Sequence, residues 1–221
     1  MTRSSNVVVA IDGPAASGKS SVARRLAERL DFAYVNSGAL YRAIAWLANA
    51  AEVSANDREA ILGLIAASRF EFGLQDKQSV VLIDGFNPAP HLQDEVVNQT
   101  VSTVSTITEV RSFIVEHLRA FADLDNLIVE GRDIGSVVFP KTPYKFYIDA
   151  SPEVRERRRV AQGLLDEISK RDRLDTSRAT APLRIPEDAK VVDSSSLTID
   201  AVVVRIVERL KDQNLPQAAS L

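Results

Sequence analysis

Residues 13–20 read Gly-Pro-Ala-Ala-Ser-Gly-Lys-Ser, a complete G-x-x-x-x-G-K-[ST] run, and this is the spacing that a phosphate-cradling loop requires. Glycine at positions 13 and 18 lets the backbone curl so that successive N–H groups face inward at phosphate oxygens. A helix starting near Lys19 adds its positive dipole end and its unpaired N–H groups. In that setting Lys19 reaches the β- and γ-phosphates, and the Ser20 hydroxyl ligates Mg²⁺. Contacts to a nucleoside triphosphate are therefore expected from Gly13, Pro14, Ala15, Ala16, Ser17, Gly18, Lys19, Ser20 and Ser21.

Kinases, ATPases and GTPase switches share such a loop, so the rest of the chain must separate them. A switch protein would carry Asp-x-x-Gly after a strand and [NT]-K-x-D for guanine. No aspartate precedes glycine at that spacing, and the nearest guanine-like string, Ser169-Lys-Arg-Asp172, sits in a basic helical stretch. Arginine, in contrast, is placed for a second anion. Ser37-Gly-Ala-Leu-Tyr-Arg42 directly follows a strand pattern, so Ser37 is expected to cap the next helix and Arg42 to project from its first turns. Gly131-Arg132-Asp133 follows another strand, at the carboxyl end where α/β ligands sit. Arg178 closes the segment that begins at Arg171. Several guanidinium groups around one crevice suit a doubly charged phosphate, which each can hold bidentately.

These groups need a frame. Apolar or β-branched runs at Val7–Ile11, Phe32–Val35, Leu127–Glu130, Tyr144–Asp149 and Lys190–Asp193 read as five buried parallel strands. Helical stripes lie between most of them: Leu40, Ile44 and Leu47; Phe113, Leu118 and Phe121; and, near the end, Val202, Val203, Ile206, Val207 and Leu210, with Thr198 as N-cap. Strand–helix alternation predicts an α/β fold, a doubly wound five-stranded parallel sheet with helices on both faces. One stretch breaks the pattern: Arg69–Phe72 and Val80–Ile83 flank the turn Gln75–Gln78 and read as a β-hairpin. It falls within an insertion over residues 50–110, placed to grip an acceptor. Ser151-Pro-Glu-Val reads as a further helix start, after which Arg155, Arg158 and Arg159 share one face.

A chain of 221 residues can bury one good core. A net charge of −3 gives no sign of a nucleic-acid partner, and the lack of cysteine excludes disulfides, thiol nucleophiles and cysteine–zinc sites. The two histidines, His91 and His117, stand apart without a partner motif and read as ordinary surface residues. Met1–Asn6 has no apolar leader core and no run is long enough to span a membrane, so a soluble, cytoplasmic, monomeric protein is expected.

Four strings, Ile11–Ser21, Ser37–Arg42, Val129–Pro140 and Arg178-Ala-Thr-Ala-Pro-Leu183, occur in the order seen in bacterial cytidylate kinases, and the chain resembles that family from about Val7 to Leu210. The resemblance implies transfer of the ATP γ-phosphoryl group to CMP or dCMP, with Mg²⁺. It implies that Ser37, Arg42 and Arg132 hold the acceptor's α-phosphate, that Ser102, Arg111 and Asp133 read cytosine, and that Asp175, Arg178 and Arg171 hold the sugar. Asp133 also makes independent sense, because a carboxylate accepts from cytosine's exocyclic amine where uracil presents a carbonyl. Residues 151–173 would be a lid, with Lys19, Arg132, Arg155, Arg158 and Arg159 supplying positive charge during transfer. Its tip is shorter than in many relatives, so a less complete seal over the nucleotide is expected. Asp12 is read either as orienting the acceptor or a metal-bound water, or as a plain strand-end turn residue. A kinase for UMP, shikimate or another small acceptor is the nearest alternative, and a non-catalytic nucleotide sensor is a more distant one.

Overall fold

Alternate residues of the first strand, β1 (Val8–Asp12), face opposite sides of a sheet, yet every one is buried, which requires helices on both faces. In chain order the remaining elements are α1 (Lys19–Leu30), β2 (Ala33–Asn36), α2 (Ser37–Ala50), α3 (Arg58–Ala67), β3 (Phe70–Gln75), β4 (Gln78–Ile83), α4 (Glu95–Val104), α5 (Thr108–Ala120), β5 (Leu127–Gly131), β6 (Tyr144–Asp149), α6 (Pro152–Ala161), β7 (Lys190–Asp193), α7 (Ile199–Asp212) and α8 (Pro216–Ala219). A single π-helical turn, Ile134–Val138, follows β5. The structure is a computed structural model and describes residues 6–161 and 183–219.

The strands form one sheet in the order β3-β4-β2-β5-β1-β6-β7. The five strands expected from the sequence, β2, β5, β1, β6 and β7, are all parallel neighbours. Val9, Ile11, Phe146 and Ile148 pack under Val22 and Leu26 of α1 and Val203, Ile206 and Leu210 of α7. On the other face, Val8, Ala10, Val35 and Val129 pack under Leu40, Ile44, Val101, Ile114 and Leu118 from α2, α4 and α5. The alternation of these two sets along each strand is the doubly wound arrangement.

The β3–β4 hairpin is antiparallel, with Phe70 opposite Ile83, but it is not detached from the sheet. Gln78 pairs with Tyr34, and the Tyr34 N–H donates to the Lys77 carbonyl at 2.8 Å, so β4 carries the sheet on beyond β2. Neither histidine is the plain surface residue that the sequence suggests. The His117 ring lies 4.1 Å from that of Phe72 and 4.4 Å from that of Phe113, and His91 stacks with Trp46 and Phe86. Phe113 lies one turn before His117 on the same helix, whereas Phe72 and Trp46 come from other elements, which no local pattern reveals. Among the described residues no helix is long and apolar enough to cross a membrane.

Thr198 caps α7 as expected, its hydroxyl accepting the Ala201 N–H at 3.2 Å. Thr198→Ala is expected to lower unfolding free energy by about 1 kcal/mol while leaving nucleotide affinity unchanged, which urea unfolding and a nucleotide titration check together.

Candidate active site

β1 ends with Asp12 beside Gly131 of β5, and the chain leaving these neighbours runs to opposite sides, to β2 and to β6. Such a divergence opens a crevice at the carboxyl ends of the strands; here it has a volume of about 620 Å³.

The phosphate loop forms one end. Gly13 has φ +154°, and a Cβ there would lie 2.1 Å from the Ile148 carbonyl oxygen of β6, so only glycine fits. Gly18, at φ 88°, starts α1 without a side-chain cap, which leaves the first helical N–H groups for a ligand. Ala15, Ala16, Gly18, Lys19, Ser20 and Ser21 line the crevice, whereas Gly13, Pro14 and Ser17 shape the loop without lining it. Lys19 is buried and its Nζ donates to the Pro14 carbonyl at 3.2 Å.

The loop is also held from outside. Arg155 donates to the Ala15 carbonyl at 3.3 Å, and Arg158 to the Ser17 carbonyl at 3.1 Å. Arg158 also grips Ser194, whose hydroxyl donates to the same Ser17 carbonyl at 2.8 Å. Of the three arginines expected to face the nucleotide, Arg159 is the one that lines the crevice. Ser151 caps their helix as expected, accepting the Val154 N–H at 3.3 Å.

Glu130, which the sequence reading passes over, sits at the end of β5 in register with Ile11. Its carboxylate accepts the Ser20 hydroxyl at 2.7 Å and, on its other oxygen, the Tyr34 hydroxyl. Burial, reinforced by the Glu130 charge, pushes the Tyr34 phenol up and keeps it a donor. An acid closing a core strand beside the phosphate loop was the available signal. A hydroxyl and a carboxylate on one side of the crevice suit Mg²⁺, an ion that takes few protein oxygens and fills its shell with phosphate and water. No cluster of three metal-ligating side chains gathers among the described residues.

Asp12 holds backbone: its two carboxylate oxygens accept the N–H groups of Ile134 and Gly135, each at 2.8 Å. Of its two sequence readings, this is the strand-end turn residue. Burial pushes its pKa up to about 6, against the lowering effect of the two backbone hydrogen bonds.

The far end of the crevice carries the second set of groups. Asn36, not Ser37, caps α2, its side chain accepting the Ala39 N–H at 3.2 Å. The helix begins at Ser37 itself, so the Ser37 hydroxyl is left to face the end of β5. A Cβ on Gly131 would lie 2.6 Å from it, and glycine there permits the approach. Arg42 lines the crevice and donates to the Leu92 carbonyl at 2.9 Å and to Asn98 Oδ1 at 2.7 Å. Arg132 and Ser102 line it too. Deeper, the buried Arg111 forms an ion pair with the buried Asp133, donates to the Ser105 carbonyl at 3.3 Å, and lies 5.5 Å over the Tyr41 ring. Arg171, Asp175 and Arg178, and the lid beyond residue 161, lie outside the described residues.

Residues 9–212 match the family model for cytidylate kinase. A cytidylate kinase from Geobacillus kaustophilus (strain HTA426) is 39% identical over 218 residues, covering 94% of this chain and 97% of that protein. One from Caldanaerobacter subterraneus subsp. tengcongensis is 39% identical over 216 residues, with coverages of 93% and 95%. One from Rhodococcus jostii (strain RHA1) is 39% identical over 215 residues, with coverages of 92% and 94%.

A raised carboxyl pKa makes a testable contribution to stability. The fold binds the Asp12 proton more tightly than the unfolded chain does, so this contribution is full below about pH 3.8 and is lost as pH rises through 6. Relative to Asp12→Asn, the wild-type protein is expected to lose about 2.5 kcal/mol of stability between pH 4 and pH 7. Urea unfolding of both proteins across that range reads the difference, and a constant offset would mean that Asp12 does not titrate there.

Proposed function

The chain belongs to the cytidylate kinase family, and we propose how its crevice carries out the family's reaction, transfer of the ATP γ-phosphoryl group to CMP or dCMP with release of ADP. The observation that carries the reading is one crevice with two anion-binding ends. The whole chain has a net charge of −3, yet Lys19, Arg42, Arg111, Arg132 and Arg159 line this one cavity against Glu130 and Asp133. The triphosphate lies along the loop, its β- and γ-phosphates against Lys19 and the first N–H groups of α1. The acceptor's α-phosphate lies between Ser37, Arg42 and Arg132, so that its oxygen is held in line with the γ-phosphorus.

Transfer of this kind asks the protein for position and charge more than for covalent chemistry. Lys19 follows the γ-phosphate and Arg159 adds a second cation as charge builds on the moving group. Ser20 and Glu130 would hold Mg²⁺, which supplies further neutralisation of the phosphate oxygens. At the base end, Asp133 accepts from the cytosine amine while Arg111 fixes the carboxylate in place, with Ser102 beside them. Arg171, Asp175 and Arg178 are assigned to the sugar by their motif. A monomer acting in the cytoplasm is part of this reading. A UMP or shikimate kinase and a silent nucleotide sensor are not favoured against 39% identity over 94% of the chain.

A panel of CMP, dCMP, UMP and shikimate with ATP tests the reading: turnover is expected with the cytosine nucleotides, and turnover confined to another acceptor would refute it. Lys19→Ala is expected to cut kcat by about a hundredfold or more with the fold intact. Asp133→Asn should narrow the preference for CMP over UMP in kcat/KM by about 1.5–3 kcal/mol. It should also lower folding stability by on the order of 3 kcal/mol, because Arg111 loses its buried counter-charge. An unchanged CMP:UMP ratio would move base reading away from Asp133.

A further inference from the structure

We propose that Asn98 is a positioning residue for phosphoryl transfer: its amide oxygen aims Arg42 at the acceptor's α-phosphate without adding a charge of its own. This rests on the reading of Arg42 given above.

Asn98 lies on α4, half-buried and outside the crevice lining. Its Nδ2 donates to the Gln93 carbonyl at 2.8 Å and to the Asp94 carbonyl at 3.1 Å. Two carbonyl acceptors leave no choice about which end of the amide is which, so the oxygen must face the other way. There it accepts from Arg42 Nη1 at 2.7 Å, and the same nitrogen donates to the Leu92 carbonyl at 2.9 Å. One side chain thus joins two successive residues of the loop before α4 to an arginine on α2, which itself bonds the residue before them. A second bond keeps the two helices in step, from Asn49 Nδ2 to Thr100 Oγ1 at 3.1 Å.

The residue type matters as much as the geometry. A guanidinium on a long side chain has many rotamers to lose before it can hold a phosphate. An acceptor that fixes it beforehand lowers that cost at the moment of binding. A carboxylate at position 98 would fix it equally well, but would compete with the phosphate for its charge and would face two carbonyl oxygens. An amide does the first without the second.

Steady-state kinetics with CMP varied at saturating ATP, and the converse, test this on Asn98→Ala, Asn98→Asp, Arg42→Ala and the alanine double variant. Asn98→Ala is expected to raise KM for CMP about tenfold with KM for ATP unchanged. The double variant should be no worse than Arg42→Ala, since Asn98 acts through Arg42. Asn98→Asp keeps the bond yet should also raise KM for CMP, and it decides the matter if the alanine variant does not fold. A residue that merely capped α4 would lower Tm without this KM split, and that result would overturn the proposal. So would independent effects in the double variant, or an unchanged KM for CMP in Asn98→Asp. If Arg42→Ala itself leaves KM for CMP unchanged, the reading of Arg42 falls and takes the proposal with it; if Arg42→Ala is impaired and Asn98→Ala is not, the proposal alone falls.

Discussion

A loop that turns its N–H groups inward to meet phosphate turns its carbonyls outward, and those carbonyls need donors of their own. Leaving one buried and unmet costs about 1–3 kcal/mol. Here Lys19 serves Pro14, Arg155 serves Ala15, Arg158 and Ser194 both serve Ser17, and the Val22 N–H closes onto Gly18. Lys19 and Val22 belong to α1, but Arg155, Arg158 and Ser194 come from α6 and from the turn after β7, so those elements must lie beside the loop. The sheet order, with β6 beside β1 and β7 beside β6, puts them there. Gly13 completes the arrangement by allowing the loop to pass against the Ile148 carbonyl. The fold can be understood as the frame that lets one short stretch of backbone stay in a conformation it would not hold alone.

The acids at the strand ends obey a related constraint. A basic crevice works only if its carboxylates are occupied in ways that do not simply cancel the cations meant for substrate. Asp12 is spent on the backbone of the π turn, which presents Asp133 at the crevice. Asp133 is paired with Arg111 at the far end of the crevice. Glu130 takes the Ser20 and Tyr34 hydroxyls. Each acid therefore shapes or orients a neighbour, and at Asp12 the cost of burial outweighs the lowering effect of its backbone hydrogen bonds and pushes the pKa up.

Much of this was legible in the chain. The phosphate loop is read from its own spacing, and four of the five expected strands from apolar runs buried on both faces; the fifth, β7, is a strand as expected but forms the sheet's edge, so only Val192 of it is buried. Thr198 and Ser151 announce their helices because capping is a local event. What was not legible depends on residues distant in sequence. Asn36 displaces Ser37 as the cap because the helix starts one residue earlier than the motif suggests, a difference that periodicity cannot resolve. His117 looks solitary until β3 brings Phe72 to it. Arg155 and Arg158 share a helical face with Arg159, but only the tertiary packing sends two of them to loop carbonyls and one to the crevice. Glu130 carries no motif that marks it as a partner of Ser20, 110 residues away.

If the outward carbonyls are what fix the loop, the bracing must exist before any nucleotide arrives. Amide hydrogen exchange over residues 13–20 in the ligand-free protein, wild type against Arg158→Met, measures this directly. Faster exchange in the variant, confined to the loop and the start of α1, is the predicted result. Unchanged exchange in the ligand-free variant, alongside weakened ATP turnover, would mean that Arg158 acts on the nucleotide alone and that the loop holds its shape without it.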